Sequence, residues 1–320
     1  MKYNRLGKTN FNVSELSFGA SALGGVFSAI DEEEGIRTVT EVLKAGINYI
    51  DVAPAYGATK SESILGKALQ GVDRKSYHLS TKSGKYTLDG VYGHDDFDYS
   101  EKRIRNELDL SLERLGTDYL DIVHLHDFDY HQGVHVESAF DSGFKTLLKL
   151  KNEGIIRAIG AGIYNLQLWN RVIAEAPVDV ILLHNHYNLI DTTALNFLQP
   201  CLEKDIGIIN ASPFASGLLT PGPIPHWHPA NEDERNMFKS VLQYSEENGF
   251  SLAECAFQFS TQQSYFPTTL FSTSKVTSLK RNLRCWKQPM NAHHIFSVQK
   301  VLMPLMNKQW NYSVPLGVKN

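Results

Sequence analysis

The chain has 320 residues, 42% of them hydrophobic, enough to bury a large core, and its net charge of -4 supplies no basic excess of the kind nucleic acid or an anionic membrane calls for. Its three cysteines, Cys201, Cys255 and Cys285, are odd in number and far apart, which disfavours a disulfide framework or a zinc site and suits a reducing compartment. No apolar run approaches the roughly 18 residues of a membrane span. The opening MKYNRLGKTNFNVSEL lacks the apolar stretch of a secretory signal and is expected to form a short hairpin turning at KTN.

Short apolar runs then alternate with amphipathic stretches. Strands are expected at LSFGA (16–20), INYIDV (47–52), YHLST (77–81), YLDIVHLH (119–126), IIRAIG (155–160), VDVILLH (178–184), IGIINAS (206–212) and TTLFS (268–272). Between them, Ile36, Val39, Val42 and Leu43 fall on one face of a helix, as do Ile104, Leu108, Leu112 and Leu115 before a stop at Gly116. ESAFDSGFKTLLKLKNEG reads as a further helix ending at Gly154, and TPGPIPHWHPANEDE (220–234) as a long loop after the seventh strand. Eight strands alternating with helices imply parallel βα units that close into a (β/α)8 TIM barrel, an α/β fold, as one domain over residues 1–320. A doubly wound sheet would alternate in the same way, but no G-x-G-x-x-G follows the first strand.

Three successive strand ends carry polar residues that a packed barrel core would not choose. Asp51 closes the second strand, with Tyr56 in the loop beyond, Lys82 follows the third and His126 ends the fourth. Singly, these residue types read as a helix cap, a core aromatic, a solvated strand end and a core histidine. At neighbouring strand ends they meet in one cavity, where Lys82 is expected to lower the Tyr56 pKa and Asp51 to compensate the buried ammonium. His126 would orient a carbonyl or hydroxyl while Tyr56 moves its proton. His124 reads as a core histidine, and no set of ligands stands at metal spacing.

The stretches LSFGASALGGVF, INYIDVAPAYGATKSESILGKAL, LSTKSGKY, DLSLERLGTDYLDIVHLHD and GIIRAIG resemble the aldo-keto reductase superfamily, with D-x-x-x-x-Y-G…S-E-x-x-L-G as the most specific string. FGASALGGVF, NHYNLID, NASPFASGLLT and HWHPA resemble its L-galactose dehydrogenase branch, with L-fucose and D-threo-aldose 1-dehydrogenases next. The resemblance implies a barrel with long loops at its mouth, NAD or NADP as cofactor, and oxidation of an aldose at C1 to the lactone, and Ser278, in place of the arginine of NADP-selective members, favours NAD. It puts the catalytic tetrad on Asp51, Tyr56, Lys82 and His126. It implies cofactor contacts at Gly19, Ala20, Ser212, Phe214, Ser216, Leu218, Ser272, Thr273, Ser274, Lys275 and Asn282. Phe27, Tyr86, Trp227 and His228 are expected to shape the sugar pocket.

The chain departs from the broad pattern at several points. Gly162-Ile163 stands where Ser-Asn is usual, His184 where Gln is usual, and Ser278 where NADP-selective members place an arginine. An NADPH-dependent carbonyl reductase and a cofactor-binding regulatory subunit are the competing readings. The expected partner is a small sugar or carbonyl compound in the cytoplasm, with neither nucleic acid nor membrane.

Overall fold

Eight parallel strands close into a barrel in a computed structural model that describes residues 1–26, 29–86, 96–225 and 227–310. A two-stranded antiparallel hairpin precedes it, β1 (Tyr3–Arg5) pairing with β2 (Asn12–Ser14) through a turn in which Asn10 adopts φ 60°. The barrel strands are β3 (Leu16–Gly19), β4 (Tyr49–Asp51), β5 (His78–Ser83), β6 (Leu120–His126), β7 (Ile156–Ile163), β8 (Val180–His184), β9 (Gly207–Ala211) and β10 (Thr268–Ser272). Each pairs with the next, and β10 closes on β3 through pairs such as Phe271 with Phe18. Every expected strand is present, within three residues at either end.

Strand alternation divides these residues between two cores. Leu79, Val123, Leu125, Ile159, Ile181 and Leu183 face outward to the helical layer. Tyr49, Ile122, Ala158, Val180, Leu182, Ile209 and Leu270 fill the interior, together with Leu6 and Val13 of the hairpin. The hairpin therefore plugs the N-terminal end of the barrel, and Gly207 makes room for it: a Cβ there would stand 2.8 Å from the Leu6 side chain. Towards the C-terminal ends the inward positions turn polar.

The helices start and stop where side chains satisfy their ends. In α1 (Glu32–Lys44) the Asp31 carboxylate accepts from the Glu34 amide. After α2 (Lys60–Leu69), α3 (Glu101–Leu115) is capped by Ser100 and stopped by Gly116 at φ 65°. The helix expected over 137–154 is broken by a π turn at Ala139–Gly143 before α4 (Phe144–Asn152). Gly143 packs so closely on Leu125 that a Cβ would lie 2.7 Å away, and the widened turn accommodates that approach. Beyond α5 (Leu166–Glu175) and α6 (Leu198–Glu203), the loop after β9 ends earlier than expected. Asn231 and Glu234 form a capping box, and α7 (Glu232–Glu247) begins with three acidic residues in its first turn. Helices α8 (Leu252–Thr261), α9 (Val276–Lys287) and α10 (Ala292–Val301) complete the chain order. Among the described residues no helix is long and apolar enough to cross a membrane. The three cysteines are buried, none bonded to another.

Candidate active site

At the C-terminal ends of β4, β5 and β6 the interior carries Asp51, Ser80, Lys82, His124 and His126, all buried. Lys82 Nζ donates to Asp51 Oδ2 in a close ion pair and to the Val52 carbonyl at 3.0 Å. The second Asp51 oxygen accepts from Ser80 Oγ at 2.7 Å, and Ser80 in turn meets the Tyr49 hydroxyl at 2.8 Å. Lys82 is thus fixed from several sides, and the desolvation cost of its charge is offset by a neighbouring carboxylate.

Tyr56 reaches this group from the loop after β4. Its ring lies 4.8 Å from Lys82 Nζ and edge-on to His126, with centroids 6.0 Å apart. The loop is held by backbone contact that only glycine permits. A Cβ on Gly24 would stand 2.6 Å from the Tyr56 carbonyl, and one on Gly57, at φ 63°, would stand 2.0 Å from the Gly24 carbonyl. The S-E-x-x-L-G string that follows is an anchor for the same loop. Ser61 Oγ donates to the Ala20 carbonyl at 2.6 Å, and the buried Glu62 accepts from Thr81 at 2.6 Å and Arg114 at 2.7 Å. A Cβ on Gly66 would collide with the Arg114 carbonyl at 1.9 Å.

The protonation states correct one expectation. Burial pushes the Tyr56 phenol above its ordinary value, and Lys82, which pulls the other way, does not outweigh it. Burial pushes the Lys82 ammonium down, but Asp51 and Tyr56 outweigh that and hold it above the usual lysine value. His126 is driven well below the ordinary imidazole range by burial, then by Lys85 and Lys82. His124, 4.0 Å from Asp51, falls to about 4 by burial. The shifts favour a Tyr56 phenol, a Lys82 ammonium paired with Asp51, and neutral imidazoles at His124 and His126.

The other expected site residues divide. Gly19 ends β3 and Ala20 opens the 3-10 turn after it, and Ser272 Oγ accepts from the Ala22 amide at 2.9 Å, tying the first and last strand ends together. Ser212 and Ser216 converge on His184, with Ser212 Oγ 2.7 Å from its Nδ1. Their loop is strained, with φ of 67° at Ser212, 48° at Ala215 and 54° at Ser216. Phe214 instead stacks on Phe257 at 5.6 Å and Leu218 is buried, so both side chains serve packing. Thr273 and Ser274 are buried before α9, Lys275 is its exposed N-cap residue, and Asn282 is buried on it.

Three of the four residues expected in the sugar pocket are described. The Tyr86 ring lies 5.2 Å from the Arg103 guanidinium of α3, engaged by the helical layer. His228 is fully buried, its Nδ1 accepting from the Ala230 amide at 3.0 Å and its ring edge-on to Trp310, so it packs the loop's own interior. Trp227 beside it is half-buried. Phe27 lies outside the described residues.

Sequence reasoning missed three features. Lys85 and Asp127 form a buried pair at 2.6 Å, next to His126. The aim of Asp127 comes from a backbone φ of 51°, which strand alternation does not reveal. Glu34 of α1 accepts from the Val276 amide at 2.9 Å, placing a carboxylate at the start of α9. Tyr164 stands edge-on to His184 at 5.1 Å, in a small recess closed by Lys308 and Trp310 of the C-terminal segment.

The mouth also suits a flat polar heterocycle. Nδ1 of His126 and Oδ1 of Asn185 are buried without a hydrogen-bond partner, and a Cβ on Gly162 would meet nothing within 4 Å. Unpaired buried polar atoms are costly unless a ligand satisfies them.

Comparison with known proteins agrees with this geometry. The sequence pattern of the aldo/keto reductase family matches residues 15–302. L-galactose dehydrogenase of Arabidopsis thaliana is 35% identical over 314 residues, covering 95% of each chain. D-threo-aldose 1-dehydrogenase of a Pseudomonas species is 34% identical over 225 residues, covering 65% of this chain and 68% of its own. The holo form of an aldo-keto reductase from Bacillus halodurans superposes with a TM-score of 0.78 at 27% identity, covering 97% of this chain and 98% of its own.

Proposed function

This chain belongs to the aldo/keto reductase family, and we propose that within it the protein is an aldose 1-dehydrogenase that oxidises a sugar such as L-galactose or L-fucose to its lactone with NAD. Its family makes it an NAD(P)-dependent oxidoreductase of small carbonyl or sugar compounds. The observation that carries the proposal is the convergence of the half-buried Tyr56 with the buried Lys82, Asp51 and His126 at one end of the barrel. Similarity to L-galactose dehydrogenase over nearly the whole chain supports the substrate class.

The roles follow from the protonation states. The neutral His126 imidazole orients the C1 oxygen, donating or accepting one hydrogen bond. As the C1 hydrogen leaves with its electron pair, the C1 hydroxyl proton passes to the Tyr56 oxygen and C1 becomes a lactone carbonyl. Lys82 stabilises the phenolate that must exist beforehand, and Asp51 keeps Lys82 charged and in place. A bound nicotinamide supplies the hydride acceptor, and its oxidised ring, being positive, favours that phenolate. Ser212, Ser216 and Asn185 would hold it from the strained loops, and the α9 start would hold the adenosine half.

Two residues support NAD in this reading: Ser278 supplies no guanidinium for a 2′-phosphate, and Glu34, paired with Arg37, sets a carboxylate at the start of α9. The deciding experiment is a panel of L-galactose, L-fucose and simple aldehydes against both nucleotides, followed by absorbance of the reduced nicotinamide. NAD-linked sugar oxidation is the expected result, and NADPH-linked aldehyde reduction without sugar turnover would overturn it.

A further inference from the structure

Beside the tetrad stands a second buried ion pair that the proton transfer above does not use. Lys85 Nζ contacts Asp127 Oδ2 at 2.6 Å, and their side chains are 10% and 6% exposed. The same carboxylate oxygen lies 3.6 Å from His126 Nε2. Lys85 also stands 4.1 Å from the centre of the Tyr130 ring. Two costs fall on Asp127 together. Its charge is withdrawn from water, and its backbone takes a left-handed conformation at φ 51°, which aspartate tolerates better than most residues but less readily than glycine. A buried pair contributes little to stability compared with apolar side chains of the same volume. Strain and buried charge at one residue, within 4 Å of the imidazole facing the reacting oxygen, point to ligand recognition.

The chemistry of a pyranose selects the group that Asp127 would meet. The C1 oxygen has two near neighbours, the ring oxygen and the C2 hydroxyl. A carboxylate only accepts hydrogen bonds, and the ring oxygen only accepts them too, so the C2 hydroxyl alone can donate. We infer that Asp127, held by Lys85, accepts a hydrogen bond from the C2 hydroxyl of the sugar and so selects 2-hydroxylated substrates over 2-deoxy sugars. This rests on the aldose reading above and deepens it.

The test pairs L-galactose with 2-deoxy-L-galactose in the wild-type enzyme and in Asp127→Asn, with NAD affinity of each protein as the check on folding. A hydrogen bond to a charged group corresponds to a loss of about 10- to 100-fold in kcat/KM, carried mainly by KM. The wild type is expected to lose that much on the deoxy sugar. In Asp127→Asn, whose amide oxygen accepts only an uncharged hydrogen bond, the preference should shrink, because the substitution and the deoxy sugar weaken the same contact. A purely structural Asp127 would slow both sugars alike and keep the preference intact, which overturns the inference, as would a wild type indifferent to the C2 hydroxyl. Turnover of neither sugar by the wild type with either nucleotide overturns the aldose reading, and this inference with it.

Discussion

Tyr56 sits in an environment that opposes the form it needs for oxidation. Burial raises its pKa and the Lys82 cation only partly counters that, so the base form accumulates as pH rises. Sugar oxidation is therefore expected to gain with pH. Lys82→Met should move that rise to higher pH, since removal of a neighbouring cation makes the anion harder to form. A pH–rate profile whose alkaline rise is unmoved in the Met variant would leave Lys82 as a structural partner of Asp51 alone. Asp51, Lys82 and His126 stood out in the sequence because each breaks the apolar logic of a strand end, and Tyr56 by its place in the loop after the first of them. The sign of the tyrosine shift was not legible there, because it depends on how completely the phenol is buried. Asp127 was also hidden, its direction set by one backbone dihedral.

At the scale of elements, strand alternation explains which residues share the mouth. Asp51, His124, His126 and His184 stand two or four residues along their strands from apolar interior positions such as Tyr49, Ile122, Val180 and Leu182, and Lys82 stands two residues from the inward Ser80. This period was readable directly. The Tyr56 loop depends on a different device, the buried Glu62 that joins Thr81 to Arg114. Glu62→Ala leaves the Arg114 guanidinium uncompensated, and breaking a buried pair this way costs about 3–5 kcal/mol. A loss of that size should appear in urea unfolding, and a variant as stable as wild type would refute the anchoring role. At the start of α9, Ser278→Arg is expected to tighten NADP binding by about 1.5–3 kcal/mol through a charge-assisted contact. Titration against tryptophan fluorescence measures it, and unchanged NADP affinity would remove Ser278 from nucleotide selection. The Glu34 carboxylate at that helix was not legible, since 242 residues separate it from Val276.

The whole molecule is graded along the barrel axis, with an apolar plug from the hairpin at one end and buried titratable groups at the other. Burial holds the imidazoles of His124 and His228 near 4 and that of His184 near 3, all below the unfolded value. The unfolded chain binds protons at these sites first, so the stability they represent is complete above about pH 6.5 and is lost as pH falls towards 4. Each such histidine steepens the loss by up to about 1.4 kcal/mol per pH unit, which urea midpoints between pH 7 and 4 should register. A midpoint flat across that window would contradict the buried, neutral assignment. The barrel was legible from eight alternating runs, whereas the C-terminal segment that brings Trp310 against His228 carried no periodic signal. The central claim, a Tyr56-centred sugar dehydrogenase, is tested most directly by initial rates of NAD reduction with L-galactose in wild type and Tyr56→Phe. The wild type should turn over, faster as pH rises, and the Phe variant should be slower by about 10²–10⁴-fold with NAD affinity unchanged; a Phe variant at near wild-type rate would contradict it.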